Sequence, residues 1–347
     1  MTAALRAPSS PTEPSSARRR SESLLRAREL GIILVLVAVF SATTAKNHAF
    51  SNTASVQQLL AGASLIALLA VGQTLVVVTR NVDLSVGSVL GLSAYIIGDV
   101  FKSHPGMPIA FGFVIGIGVG VVVGAVNGFI TTVAKVPSLV VTLAMLYVVR
   151  GIDAKIVSGK QIDPTSIPRS FQAVGYDDVW GIPWLAIIVA VIVVIVGFGM
   201  RSLRAGRDLY AIGSNPDAAL LAGVRSGRRV FAAFVFSGAL AGLGGALFLA
   251  EFATVSATGG SGYELNVVAA VVVGGVAIFG GSGTVYGAAL GAVLLNTINQ
   301  ALVAAKVSAF WNQAVAGALL LAAITFDRWL ALRVQRRDAE RGQRHAT

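Results

Sequence analysis

The sequence predicts an all-α, polytopic membrane protein, and three observations support this fold class. Of the 347 residues, 55% are hydrophobic and only 12% are charged, whereas soluble domains carry about 25% charged residues. Apolar runs of about 20 residues, the length that crosses a hydrocarbon core of ~30 Å, recur along most of the chain. These runs are continuous rather than alternating, which favours helices over a membrane-spanning barrel.

We expect about ten transmembrane spans, arranged in two pseudo-repeated halves with broken helices. Two of the ten are short, and a re-entrant segment could account for either of them. The predicted spans lie near residues 30–45, 57–78, 84–101, 108–131, 138–152, 181–200, 230–252, 264–281, 284–304 and 310–328.

The net charge of +11 is concentrated beside these spans. Residues 1–30, 201–229 and 328–347 each contain six Lys or Arg residues. Basic clusters beside apolar spans mark the cytoplasmic side of a membrane. Ten spans place all three clusters on that side, which an odd number would forbid. We therefore expect a cell-membrane protein with both termini in the cytoplasm, and the placement of the charge argues against a nucleic-acid partner.

The chain divides into a transmembrane core and two tails. Residues 1–29 are predicted to be a disordered basic tail, residues 30–328 the transmembrane domain, and residues 329–347 a second basic tail. The first apolar run lacks a convincing cleavage site and is interpreted as an uncleaved span. The largest outer segment, 153–180, is either a solvated loop or a docking surface.

No catalytic or cofactor motif is visible. Cysteine is absent, which excludes a disulfide framework and a thiolate metal site. Gly159-Lys160 lacks the other residues of a phosphate-binding loop, and the three histidines fall in loops or tails. We therefore expect no cofactor and no enzymatic activity of the chain's own.

Glycine recurs every fourth residue in the fourth predicted span and in two later segments. This spacing places the glycines on one helix face and predicts close packing against another helix. The glycines are Gly112, Gly116, Gly120, Gly124 and Gly128, followed by Gly238 and Gly242, and by Gly283, Gly287 and Gly291.

A charged break interrupts the apolar sequence "VVVTRNVDLSVGSVLGLSAY" at residues 76–95. One interpretation is a short cytoplasmic turn, in which Asp83 or Ser85 caps the next helix and Arg80 pairs with Asp83. The other is a wall of a solute pathway, because charges inside a membrane are costly and usually functional. The amides within spans suit a neutral, hydroxyl-rich solute. The candidate pathway residues are Gln73, Arg80, Asp83, Ser85, Gly87, Asn127, Gly281, Gly283 and Asn296.

A weak internal repeat relates residues 76–91 to residues 271–287. Each copy has a valine run, a polar or glycine-rich break, and then Gly-Ser/Thr-Val. The alignment pairs Gly87 with Gly283 and gives two parallel repeats. Interruptions at matching points of two halves indicate a transport pathway.

A short helix is predicted on the inner face at residues 216–222. Asn215 is a suitable N-cap, Pro216 suits the first helical position, Asp217 favours the positive end of the helix dipole, and Gly223 can close the helix in a left-handed conformation. This helix is either an interfacial turn or an element that contacts a partner. The candidate coupling residues are Gly213, Asn215, Pro216, Asp217, Ala218, Ala219 and Gly223.

Three stretches carry a family resemblance. "VVVTRNVDLSVGSVLGLSA", "GRDLYAIGSNPDAALLAGV" and "VVAAVVVGGVAIFGGSGTVYGAALGAVLL" resemble the signature stretches of ribose-type ABC importer permeases, whose solutes include simple sugars and autoinducer 2. The resemblance implies an all-helical permease that works with a second permease subunit, two ATPase subunits and an external binding protein. It also implies that the short inner helix contacts the ATPase. Where the commonest family form is Gly-Gly-Ile-Asp-Leu-Ser, this chain carries an arginine, Arg80.

We therefore expect the membrane permease of an ABC importer, which moves a monosaccharide-like solute while a partner chain hydrolyses ATP. A homodimer and a heterodimer of permeases remain alternatives. The alternative function is a secondary transporter or facilitator for a small polar solute. A membrane enzyme ranks third, because no nucleophile, metal site or acid–base pair is visible.

Overall fold

The computed structural model describes residues 16–308 and eight positions between 311 and 325. Within this part the chain forms twelve α-helices and one short β-hairpin, β1 (Asp178–Val179) with β2 (Ile182–Pro183). The helices are α1 (Ser16–Lys46), α2 (Thr53–Val77), α3 (Val86–Ser103), α4 (Ala110–Thr132), α5 (Ser138–Val157), α6 (Arg169–Tyr176), α7 (Trp184–Ser202), α8 (Arg204–Ser214), α9 (Pro216–Leu221), α10 (Ser226–Phe252), α11 (Tyr263–Val273) and α12 (Val285–Ala304).

The all-helical membrane class is confirmed. In the described part, six helices are long and apolar enough to cross a membrane: α1, α2, α4, α7, α10 and α12. The charged side chains of α5, Arg150, Asp153 and Lys155, interrupt its apolar sequence. Most of the predicted span 310–328, the N-terminal 15 residues and the tail 329–347 lie outside the described residues. The count of ten spans therefore stays a prediction.

One predicted span is helical over only its first part. Residues 264–281 were expected to cross as a helix, but α11 ends at Val273 and the chain is then non-helical until Thr284. The cause is local, since Gly275, Gly280 and Gly281 adopt left-handed conformations with φ of 89°, 82° and 78°. An α-helix of L-residues does not contain such angles.

Helix α2 lies at the centre of the fold. It contains no charged residue, and almost all side chains from Ala61 to Val77 are buried. A helix that is apolar all round is stable when other helices surround it. Here α7, α10, α11 and α12 pack around α2.

The glycine stripe of α4 packs against α10, as predicted. All five stripe glycines are buried. A methyl group on Gly120 would overlap the carbonyl of Gly238, and one on Gly242 would overlap the carbonyl of Gly116. The two backbones therefore approach as closely as the spacing of small residues indicates. Gly287 and Gly291 provide the same close approach between α12 and α11.

The predicted outer segment 153–180 is packed rather than a freely solvated loop. It contains the last turn of α5, a 3₁₀ turn at Pro164–Ser166, helix α6 and strand β1. Phe171 of α6 is fully buried, with its ring 5.0 Å from that of Phe101 and 5.2 Å from that of Phe113. At the hairpin tip, Trp180 is 99% exposed.

The segments 153–183 and 201–229 lie at opposite ends of α10. Near its start, Arg229 forms an ion pair of 2.8 Å with Asp208 of α8. Near its end, Gly175 of α6 packs against the backbone of Ala250. A helix of 27 residues is about 40 Å long, which is sufficient to separate the two faces of a membrane. This arrangement agrees with the predicted opposite sides of the two segments.

Candidate functional site

The first break, residues 78–85, begins with a left-handed closure of α2. The Asn81 amide donates to the Val76 carbonyl at 3.3 Å and the Arg80 amide donates to the Val77 carbonyl at 2.9 Å. Arg80 itself has φ of 67°. This is the hydrogen-bond pattern that glycine usually completes at a helix end, and a side chain in that conformation costs about 1 kcal/mol.

The second break, residues 274–284, begins in the same way and then differs. The Val276 and Gly275 amides donate to the Val271 and Val272 carbonyls at 3.0 and 2.9 Å, and Gly275 takes the left-handed conformation. The alignment of Gly87 with Gly283 is wrong, however. Gly87 lies inside α3, whereas Gly283 precedes α12 with φ of 124°. The second break is longer than the first, so the helices that follow start at non-equivalent positions.

The two breaks meet each other and the end of α8. The Gly281 amide donates to the Val78 carbonyl at 2.9 Å. Gly213 packs against the same Val78 carbonyl, where any side chain would overlap it. Arg80 donates from Nε to the Gly213 carbonyl at 2.6 Å and from Nη2 to the Ser214 carbonyl at 2.9 Å. We call Val78, Arg80, Gly213, Ser214 and Gly281 the inner junction.

Two hydroxyl groups reinforce the inner junction. Ser214 Oγ donates to the Gly281 carbonyl at 3.3 Å, and Tyr210 Oη of α8 donates to the Gly283 carbonyl at 2.9 Å. Burial raises the pKa of Tyr210 to about 12, so the phenol remains a neutral donor at physiological pH. Both breaks are therefore tied to α8, directly before the short helix α9.

The expected pair between Arg80 and Asp83 is wrong, because their side chains have separate partners. While Arg80 bonds α8, Asp83 is buried and accepts from the Ser85 amide at 3.0 Å and from Ser85 Oγ at 2.6 Å. Ser237 Oγ of α10 donates to the other carboxylate oxygen at 3.2 Å. Contacts of Arg80 with a distant helix could not be inferred from a three-residue separation.

Two amide side chains complete the Asp83 network, which we define as Gln73, Asp83, Ser85, Asn127 and Ser237. Asn127 Nδ2 of α4 donates to Ser85 Oγ at 2.9 Å. Gln73 of α2, in the amide orientation that satisfies both of its polar atoms, donates to the Asp83 carbonyl at 3.0 Å and accepts from the Asp83 amide at 3.2 Å. All five side chains are buried. The network joins α2, α4 and α10 to the first break, and sequence reasoning missed its member Ser237.

The remaining pathway candidates lie apart from these two groups. Asn296 Nδ2 of α12 donates to the Leu59 carbonyl of α2 at 2.8 Å. Gly87 packs against Glu264 and the Gly260 carbonyl. The nine candidates thus separate into the inner junction region with Arg80, Gly281 and Gly283, the Asp83 network, and two helix contacts. The structure does not bring them together in one cavity.

The short inner helix is present with the predicted caps. Helix α9 begins at Pro216, and the Asn215 side chain accepts from the Ala218 amide at 3.0 Å. Gly223 follows the helix with φ of 76°. These are the local features from which the helix was predicted.

One of the candidate coupling residues, Ala219, faces the permease rather than a partner. Ala219 is only 4% exposed and packs into the hydrophobic core, whereas Leu220 and Leu221 are 67% and 89% exposed. The side chain of Ala219 is therefore unavailable to a partner, and the two leucines are available. Across the described residues, no group of three or more His, Cys, Asp or Glu side chains is placed to hold a metal ion.

The sequence matches the model of a known transport family. The model of the family described as "Branched-chain amino acid transport system / permease component" matches residues 55–324. The chain belongs to this permease family. Residues 55–324 include both breaks, the inner junction and α9, so the elements described above are parts of a permease.

Curated relatives agree with this family over nearly the whole chain. The autoinducer 2 import system permease protein LsrC of Enterobacter sp. (strain 638) is 34% identical over 306 residues, 88% of each chain. The LsrC of Klebsiella pneumoniae is 35% identical with the same coverage, and that of Photorhabdus luminescens is 33% identical over 90% of this chain and 94% of its own. No solved structure matches. The permease is the membrane subunit of an ABC importer and a transport component rather than an enzyme.

Proposed function

We propose that this permease imports a small, sugar-like solute and that α9 couples it to the ATPase on the inner face. The observation that carries the proposal is the inner junction. One short segment, the end of α8, bonds both helix breaks and leads directly into α9. A force applied to α9 therefore reaches the end of α2 and the residues directly before α12.

The solute class follows from the relatives and from the polar side chains of the core. The relatives are named for the import of autoinducer 2. A small sugar-like solute is neutral and rich in hydroxyl groups. Buried side chains that both donate and accept hydrogen bonds are the protein groups that match hydroxyl groups.

The exposed leucines of α9 are the proposed contact with the ATPase. Leu220 and Leu221 project from a helix that Asn215 and Gly223 cap at its two ends. Exposed apolar side chains on a rigid element are typical of anchors that fill a partner's groove. Ala219, on the opposite face, attaches the helix to the permease core.

The topology proposal keeps ten spans with both termini inside. It places α8 and α9 in the cytoplasm and the 153–183 region outside, where an external binding protein would dock. The exposed side chains there include Tyr176, Trp180 and Ile182. A second permease subunit, identical or different, completes the importer.

Uptake into vesicles tests the function itself. The permease is reconstituted with its ATPase and binding protein, and import of labelled ribose and labelled autoinducer 2 is measured with and without ATP. We expect import of at least one solute that requires ATP and both partners. Import by the permease alone would instead support a secondary transporter or facilitator.

A pair of substitutions in α9 tests the coupling assignment. Leu221→Asp is expected to reduce co-purification of the ATPase and ATP-driven uptake at least about tenfold while the thermal stability of the permease is unchanged. Ala219→Asp is the matched control, expected to lower that stability because a carboxylate would enter the core. Normal co-purification and uptake by the Leu221→Asp variant would contradict the assignment.

Cysteine labelling tests the sidedness, since the chain contains no cysteine. We expect Trp180→Cys to react with an impermeant maleimide in intact cells and to be shielded when the loaded binding protein docks. Leu221→Cys should react only after the cells are permeabilised. The reverse pattern would invert the proposed topology.

A further inference from the structure

Between α10 and α11 the chain is non-helical along the side of α3. The Ile162 side chain packs on Gly98 of α3. The Ile162 amide donates to the Val255 carbonyl at 3.0 Å. Farther along, the Gly259 carbonyl lies against Gly91 and the Gly260 carbonyl against Gly87. Gly98 and Gly87 are eleven positions apart in one helix, which corresponds to about 16 Å along its axis. Residues 253–262 therefore follow α3 over that distance.

This segment lies at membrane depth. Helix α11, which continues from it, has only 11 residues, or about 16 Å of a hydrocarbon core of ~30 Å. The non-helical residues on either side of α11 must supply the rest of the crossing, and those before it extend from the end of α10 along the side of α3. Irregular backbone at such depth occurs only where protein buries it or where it lines a cavity, and solute sites of transporters are often built from interrupted helices of this kind.

Two ionisable side chains bond the segment, and a third lies close to one of them. Arg150 and Asp153 are three positions apart on α5 and share one helix face, and Arg150 Nη1 donates to the Gly259 carbonyl. Glu264 at the start of α11 accepts from the Gly262 amide at 3.2 Å. Arg150 is close enough to Asp153 and Glu264 to interact with both electrostatically. We call Arg150, Asp153 and Glu264 the outer polar cluster.

The outer polar cluster has unused hydrogen-bonding capacity. Asp153 is 0% exposed, and neither of its carboxylate oxygens has a hydrogen-bond partner in the structure. Arg150 Nη2 and Glu264 Oε2 are likewise buried without a partner. Buried charged groups normally have partners because an unpartnered one is costly. Ionisable residues inside a membrane protein that keep such a cost are usually functional.

The chemistry of these atoms defines what would satisfy them. The two carboxylates accept hydrogen bonds and the guanidinium donates them, so a ligand must both donate and accept. The charges of Arg150 and of the two carboxylates partly cancel, so hydrogen bonding rather than net charge selects the ligand. A neutral, hydroxyl-rich molecule fits all four atoms, since each hydroxyl group can donate to a carboxylate or accept from the guanidinium.

We infer that Arg150, Asp153 and Glu264, with the non-helical segment 253–262, form a solute-binding site of the translocation pathway for neutral, hydroxyl-rich molecules. This inference rests on the proposed function as an importer, whose pathway must contain such a contact. The cluster is closed in this structure and becomes accessible when α3, α5 and the segment separate during transport.

Thiol accessibility tests the site without knowledge of the solute. The complete importer carries Asp153→Cys or Glu264→Cys and is held in nanodiscs, so that reagent reaches both faces. The probe is the cationic trimethylammonium-ethyl methanethiosulfonate, added with ATP and loaded binding protein. We expect both cysteines to react during ATP turnover. Ala246→Cys, equally buried in the apolar core of α10, is the matched control and should not react.

Trp180→Cys at the exposed hairpin tip shows that the reagent is active. If Trp180→Cys reacts while both cluster cysteines remain as unreactive as Ala246→Cys in every state, the cluster is sealed and the inference is overturned. Poor folding of the Asp153→Cys variant leaves the Glu264→Cys variant to decide.

Transport by the conservative variant Asp153→Asn separates this inference from the proposed function. With ribose and autoinducer 2 as probes, we expect at least a tenfold loss of uptake while stimulation of the ATPase by the binding protein is retained. Uptake equal to that of the unaltered importer would overturn the site but not the function. If the unaltered importer moves neither solute, the function fails and the labelling result stands by itself.

Discussion

Asp83 and Asp153 are both buried aspartates of the transmembrane domain, and their surroundings differ. Asp83 is held by two hydroxyl groups and a backbone amide through its side chain, and by Gln73 through its backbone. Asp153 has no hydrogen-bond partner for either carboxylate oxygen. A satisfied buried polar group stabilises a fold, whereas an unsatisfied one destabilises it. The comparison indicates a structural role for Asp83 and a functional role for Asp153.

The largest expected effect on stability is that of Asp83→Ala. Removal of the carboxylate leaves Ser85 and Ser237 as buried donors without their acceptor, so we expect the free energy of unfolding to fall by about 3 kcal/mol. Asp83→Asn keeps one acceptor oxygen and should cost about 1 kcal/mol. Thermal melting of the purified permease in nanodiscs measures both. Equal stability of Asp83→Ala and the unaltered chain would remove Asp83 from its structural role.

The next effect concerns Arg80, whose charge is not matched by Asp83. Arg80→Gln should cost about 2 kcal/mol of stability because it removes charge-assisted hydrogen bonds to α8. Combined with Asp83→Asn, the two losses should add within about 0.5 kcal/mol, as expected for residues without shared partners. If the double variant recovered stability by about 3 kcal/mol, the side chains would be a buried ion pair instead.

The smallest effect is that of Tyr210→Phe, which removes one hydrogen bond to the Gly283 carbonyl and should cost about 1 kcal/mol. The stabilisation by the Tyr210 phenol should decrease at high pH. Because the folded pKa is about 12 and an unfolded tyrosine titrates near 10, the phenol's contribution is complete below pH 10 and is lost as pH rises toward 12. When melting temperatures are measured between pH 7 and pH 11, the melting temperature of the Phe variant should fall less steeply above pH 10 than that of the unaltered permease. Identical slopes would contradict the burial of Tyr210.

The features that sequence reasoning placed correctly are those that depend on local spacing. The stripe from Gly112 to Gly128 predicted a close helix contact because fourfold spacing fixes one helix face. Asn215, Pro216 and Gly223 predicted the limits of α9, since capping involves only residues a few positions apart. The apolar runs predicted most of the transmembrane helices for the same reason.

The features that sequence reasoning missed depend on contacts between distant parts of the chain. Ser237 follows no spacing rule, and only the packing of α10 against the first break places it beside Asp83. Arg150 lay within the predicted span 138–152 and carried a signal, a charge in an apolar run, but its partner Gly259 lies more than 100 positions away. In the sequence, residues 253–262 look like an ordinary outer loop. Their depth in the membrane depends on their packing against the glycines of α3.

The most direct test of the contrast between the two aspartates is a paired measurement on Asp153→Asn, its melting temperature and its ATP-driven uptake. Because the substitution removes a buried carboxylate that no hydrogen bond stabilises, while Glu264 still balances the charge of Arg150, we expect a melting temperature equal to or above that of the unaltered permease, together with at least a tenfold loss of uptake. A lowered melting temperature, with uptake reduced only in proportion to the folded protein, would give Asp153 the same structural role as Asp83 and contradict the account.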